Sequence, residues 1–169
     1  MKPCYLALLI IFFIGCAKHA IHNNEIKRID FASEGITISI DSSLSYKCFE
    51  CGRDGKIGFY KGKVATELWD SLNVKLDSIN FDTLKSVDCR NEFDPGIEIF
   101  IQKTKTTKHF ASNLTCLSGR IKSVFYWIAD THKRLKLIQN KDTIKFDVKS
   151  MCPPVESKHQ VKFPPVKNQ

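Results

Sequence analysis

The sequence predicts an α+β domain, a mainly antiparallel sheet of about six strands with two helices packed on one face. Three observations carry that prediction. Apolar and polar residues alternate with period two in several segments, most clearly Ile36-Thr37-Ile38-Ser39-Ile40 and Ile97 to Gln102, which marks strands. Two longer stretches, near 65–79 and 118–132, repeat apolar residues every three or four positions, which marks helices. The strands fall in pairs between the helices, in the order strand, strand, helix, strand, strand, helix, strand, strand. Such pairs favour hairpins with the helices segregated to one side.

Before these elements comes a segment of another kind. Lys2 is followed by an apolar run from Tyr5 to Ile14, the charged and hydrophobic parts of a secretory signal. A run of about ten residues is too short to cross a bilayer, which needs about twenty. It ends at Phe13-Ile14-Gly15-Cys16, after which Lys18, His19, His22, Asn23 and Asn24 turn the chain polar. That ending resembles the lipobox of bacterial lipoproteins, with Phe13 where leucine is usual. The resemblance implies cleavage between Gly15 and Cys16, with Gly15 as the small residue required and the Cys16 thiol carrying diacylglycerol. Each buried acyl methylene contributes about 0.8 kcal/mol, so the two or three chains of a processed lipoprotein anchor stably. Cys4 leaves with the signal. Ala17 is not the aspartate that retains enterobacterial lipoproteins in the inner membrane, and no acidic cluster follows Cys16 as a surface-export signal. The expected location is the cell envelope, on the outer membrane facing the periplasm.

The expected organisation is a signal peptide over 1–15, a lipidated tether over 16–34, an α+β domain over 35–149 and a Pro-rich tail over 150–169. The domain opens with the strand at 36–40. Lys56 to Tyr60 reads as a second strand, entered through Arg53-Asp54-Gly55, a turn signal. In the first helix Leu68, Leu72, Leu76 and Ile79 share a face, with Trp69 beside them and Asp70, Asn73 and Asp77 opposite. Asp94-Pro95-Gly96 is a turn into the strand of Ile97, Ile99 and Ile101, and Lys105 to Phe110 is its hairpin partner. In the second helix Ile121, Val124, Phe125 and Ile128 form the apolar stripe, and His132, Lys133 and Arg134 suit the negative end of its dipole. Leu135 to Ile138 and Thr143 to Val148 read as two closing strands. The tail holds Pro153-Pro154 and Pro164-Pro165.

Composition narrows the partners. The formal net charge is +8, but Lys56, Lys61, Lys63, Lys75, Lys85, Lys122 and Lys136 form no single run. An exported chain meets little nucleic acid, so none is expected. Besides the membrane that takes the lipid, an acidic polysaccharide or an acidic protein is the reachable partner. The plain alternative is a solvated basic surface.

Beyond the anchor lie Cys48, Cys51, Cys89, Cys116 and Cys152, an odd number. In an oxidising envelope disulfides are the default, so Cys48, Cys51, Cys89 and Cys116 are the candidate disulfide residues. Cys89 with Cys116, and Cys48 with Cys51 or Cys152, are the pairings to test. Cys48-Phe49-Glu50-Cys51 has redox spacing, but a reactive pair needs a helix N-terminus, and Gly52-Arg53-Asp54-Gly55 is a turn. A zinc site from Cys48, Cys51, Cys89 and Cys116 lacks a second close pair. His19, His22, His109, His132 and His159 show no ligand spacing, and no nucleophile motif is present. Neither a metal nor a cofactor is expected.

Lys103, Lys105, Lys108 and His109, interleaved with Thr104, Thr106 and Thr107, form the candidate basic binding strand. Lysines on an edge strand also guard against aggregation. Trp69 and Trp127 are expected to pack in the core. Asn113-Leu114-Thr115 matches a glycosylation triplet with little meaning in most bacteria. Asp70-Ser71-Leu72, Asp77-Ser78-Ile79, Asp82-Thr83-Leu84 and Asp142-Thr143-Ile144 resemble the O-glycosylation acceptor of exported Bacteroidota proteins.

The stretch Gly62 to Leu84, with Leu68-Trp69-Asp70-Ser71-Leu72 and Ile79-Asn80-Phe81-Asp82-Thr83-Leu84, resembles a family of small Bacteroidota lipoproteins. Val124-Phe125-Tyr126-Trp127-Ile128 matches their second helix. The resemblance spans about residues 35–148 and departs at the cysteine pair, which lacks the following proline and the usual spacing. It implies the compartment and the fold, and no activity. The expectation is a membrane-anchored, non-enzymatic binding module for a protein or envelope polymer. The alternatives are a thiol-redox or metal-binding protein using Cys48 and Cys51, and a structural lipoprotein with no discrete ligand.

Overall fold

A computed structural model describes residues 26–51, 57–87 and 96–149. The signal and cleavage site at Gly15 and Cys16, the start of the tether, the turn at 53–55, Cys89, the residues Asp94-Pro95 and the tail from 150 lie outside the described residues. The fold is α+β, a seven-stranded antiparallel sheet with two helices. In chain order the strands are β1 (Ile26–Ser33), β2 (Ile36–Asp41), β3 (Ser45–Cys51) and β4 (Ile57–Lys63), then helix α1 (Thr66–Ser78). There follow β5 (Gly96–Lys103), β6 (Thr107–Asn113), helix α2 (Gly119–Ala129) and β7 (Ile138–Asn140). Across the sheet the order is β6-β5-β1-β2-β3-β4-β7.

Alternation along each strand sends one set of side chains to the helices. Ile29 and Phe31 on β1, Ile36, Ile38 and Ile40 on β2, Tyr46 and Cys48 on β3, and Ile97, Ile99 and Ile101 on β5 join one buried cluster. The helices supply Trp69, Leu72, Leu76, Val124, Phe125 and Ile128 to the same cluster. Phe125 sits with its ring 6.2 Å from Phe31 and 5.8 Å from Phe110, centroid to centroid. Behind it, Thr131 gives its hydroxyl hydrogen to the Ile128 carbonyl at 2.7 Å. The buried Tyr46 hydroxyl, 3.1 Å away, therefore donates to Thr131.

Several expectations need correction. Residues 26–33 are not tether but β1, a central strand bonded to β2 and β5. Their pattern is hard to see because Arg28 and Asp30 stand between the apolar positions. Cys48 and Cys51 lie on a strand, β3, that the sequence pattern does not reveal. Of Leu135 to Ile138 only Ile138 is in a strand, the short β7 that runs on through Asn140, which was expected in the turn, and Thr143 to Val148 forms no strand. On α1, Asn73 is buried beside Trp69, its amide donating to the Trp69 carbonyl at 2.7 Å, while Leu68 is half-buried. Asn80 closes α1 in the left-handed region at φ 49°, which asparagine tolerates. The second helix stops at Ala129 and tightens into a 3₁₀ turn, Asp130–Arg134. There the His132 ring donates from Nδ1 to the Ala129 carbonyl at 2.6 Å, which satisfies an end carbonyl of α2. Trp69 is a core residue as expected. Trp127 is half-buried and lies beneath two cations, Lys75 Nζ at 4.9 Å and Arg134 Cζ at 5.5 Å from its ring centroid.

Candidate functional site

The face of the sheet turned away from the helices is the most distinctive surface. Its strands put polar groups where a solvent face would have them, yet Asp30, Thr37, Ser39 and Glu98 are buried. The register arranges them in rows. One row runs His109, Phe100, Asp30, Ser39, Lys47, Lys61, Ile138 from β6 to β7. The next runs Ala111, Glu98, Ala32, Thr37, Phe49, Phe59, Asn140. The half toward β1 and β5 is acidic within. The half toward β3 and β4 is aromatic and basic.

A strap made of residues 141–149 explains the burial. Asp147 donates its backbone N–H to Asp30 Oδ2 at 2.7 Å, and Lys149 donates to Glu98 Oε2 at 2.9 Å. The Asp147 carboxylate pairs with Arg28. Asn140 belongs to β7 at the sheet edge, four strand spacings or roughly 19 Å from β1 at about 4.8 Å each. The seven residues from Asn140 to Asp147 span about 24 Å when extended, so the strap takes a nearly direct path over β4, β3 and β2. Alternation survives along it. Ile144 and Phe146 are half-buried and Val148 is buried, while Thr143, Lys145, Asp147 and Lys149 are exposed. The period-two pattern that suggested a strand is thus a chain lying flat on a sheet.

Under the strap the electrostatics are uneven. Burial raises the Asp30 carboxyl above its usual value, against the pull of the Ser39 hydroxyl and of the Arg28 and Lys47 charges. Arg28 Nε stands 3.3 Å from Asp30 Oδ1, but their alignment is not that of a hydrogen bond, and both atoms, with Thr37 Oγ1, are buried without a hydrogen-bond partner. Farther along, Lys47 and Lys61 stand directly opposite each other. Like charges so placed are destabilising. The Phe49 and Phe59 rings beside them lie 4.6 Å apart. Lys63, and Lys141, Lys145 and Lys149 on the strap, are exposed, so six lysines crown this face.

The candidate residues read from sequence are distributed differently. Cys48 is a free thiol buried in the helix-side core, and burial, with the Glu50 charge, pushes it up to about 12. Its expected place in a disulfide is therefore wrong. Three residues apart on one strand, Cys48 and Cys51 point to opposite faces. Cys51 and Cys116 are disulfide-bonded. Of the basic hairpin, Lys103 is spent on Asp82 at 2.6 Å, Lys108 Nζ donates to the Leu84 carbonyl at 2.7 Å, and His109 Nε2 donates to Glu98 Oε1 at 2.7 Å. Lys105 is exposed in the turn between β5 and β6. These residues brace β6, whose outer side meets Val87 in a short bridge. The lysines that share a face, Lys47, Lys61 and Lys63, were legible only as scattered charge. Their common face needs the strand β3, which the sequence hid.

A cavity of about 400 Å³ lies at the end of α1, floored by Ile26, Leu76, Phe81 and Ile101, with Asp82 and Lys103 at its rim. Among the described residues, no group of three or more His, Cys, Asp or Glu side chains is placed to hold a metal ion. Fold and surface together define an α+β domain with a strapped, basic sheet face. No family model, curated protein or solved structure matches the chain.

Proposed function

We propose that this chain is a lipid-anchored envelope protein whose domain is a non-enzymatic binding module, taking an anionic protein or envelope polymer on the strapped face. The observation that carries the binding reading is the facing pair Lys47 and Lys61, with Lys63 beside it and the Phe49 and Phe59 rings adjacent. A sheet that keeps like charges opposite one another gives up stability, and an anionic partner returns it. Phe49, Phe59 and the exposed Ile57 and Ile138 add apolar contact. The lipobox-like Phe13-Ile14-Gly15-Cys16 and the resemblance to small Bacteroidota lipoproteins support the anchor and the compartment. Cys48 and Cys51 lend no support to a redox role, because the one is buried and neutral and the other is already bonded.

Retention on an immobilised acidic polysaccharide tests the reading. The protein is expected to bind at low salt, and the triple variant K47E/K61E/K63E to elute at markedly lower ionic strength with an unchanged melting temperature. Equal retention of the two proteins would sink the assignment of this face.

A further inference from the structure

The strap behaves as an occupant of the sheet face. It adds no rung to the ladder. It is held by two backbone N–H groups, two residues apart, on the carboxylates of Asp30 and Glu98, and by one carboxylate on Arg28. Val148, between those N–H groups, is buried, and Phe146, just before the first, is half-buried. Fixed carboxylates that accept main-chain N–H groups, with alternate side chains turned inward, would hold the backbone of any extended segment in the same way.

Two features show that residues 144–149 fit this groove imperfectly. Thr37 Oγ1 stays buried without a hydrogen-bond partner beneath it, and such a group is costly to leave unpaired. The strap also brings the outward cations Lys145 and Lys149 to a face already carrying Lys47, Lys61 and Lys63. A segment of the same shape with acidic residues at the outward positions keeps the main-chain bonds and turns that repulsion into attraction.

We infer that this groove is a docking site for an extended acidic segment of a partner protein, and that residues 144–149 close it in the free protein. The inference rests on the binding reading above and names its ligand as polypeptide.

The test uses two labelled peptides, one with the sequence of residues 143–149 and one carrying K145E and K149E. Each is titrated by fluorescence anisotropy into the full, oxidised protein and into its D147N variant. That variant weakens the strap's hold on Arg28 while keeping its shape, and circular dichroism checks that it folds. The acidic peptide is expected to saturate both proteins, binding roughly tenfold more tightly to D147N and roughly tenfold more tightly than the lysine peptide. The variant R28A should abolish its binding. No saturable binding to either protein, or equal affinity for the two peptides, overturns the inference. Polysaccharide retention that persists without peptide binding leaves the broader reading standing and removes this one. Peptide binding without polysaccharide retention confines the ligand to protein.

Discussion

At the scale of single residues, alternation along β3 decides the chemistry of its cysteines. Cys48 and Tyr46 enter the core, where burial raises both ionisable groups, and Cys51 leaves on the other face. A thiol that ionises at about 12 is neutral at physiological pH and is neither nucleophile nor metal ligand. Native oxidised protein is therefore expected to take up no iodoacetamide at Cys48, and protein unfolded in urea without reductant to take it up there. Alkylation of the native thiol within minutes would contradict the buried placement. The pH dependence has a definite sign. The folded value lies above the unfolded one of 9.0, so the folded state holds this proton longer. The stability that Cys48 contributes is complete below pH 9 and is lost as pH rises from there toward 12. The stability difference between wild type and C48A should shrink over that range.

At the scale of elements, what the sequence revealed follows from how each element is buried. The helices and β5 were legible because one apolar face meets one polar face, so periodicity reports directly. β1 was missed because its second face is polar and still buried, with Arg28 and Asp30 under the strap. The strap was read as a strand because it alternates, although its partners are side chains. Reach also limits the disulfides. Cys51 on β3 and Cys116 just past β6 are both disulfide-bonded. Their strands lie four spacings apart, roughly 19 Å, and bonded cysteines have Cα atoms within about 6.8 Å, so the two do not bond each other. Non-reducing digestion should therefore yield no Cys51–Cys116 peptide, and finding one would refute the reach argument.

At the scale of the whole molecule, β1 is what makes one domain of two sheet halves. On one side of it lie β5 and β6, on the other β2, β3, β4 and β7. Among the described residues no strand of the first group bonds to a strand of the second. The sequence put the domain boundary at residue 35 and so left this strand in the tether. Cutting there removes Ile29 and Phe31, whose full burial contributes about 1.5–3 kcal/mol each. It also orphans the edges of β2 and β5 and the carboxylate that holds the strap. Against a total stability of about 5–15 kcal/mol, that loss is decisive. A chain beginning at residue 25 is expected to melt cooperatively at the temperature of the mature protein, and a chain beginning at residue 35 to show no cooperative transition by circular dichroism. A cooperative native-like melt of the shorter chain would mean that β1 is dispensable. The same boundary sets the height of the domain. If Cys16 holds the lipid, only nine residues lie between it and Ile26, roughly 35 Å from one to the other at full extension. With that anchor the start of β1 stays within one short span of the headgroups.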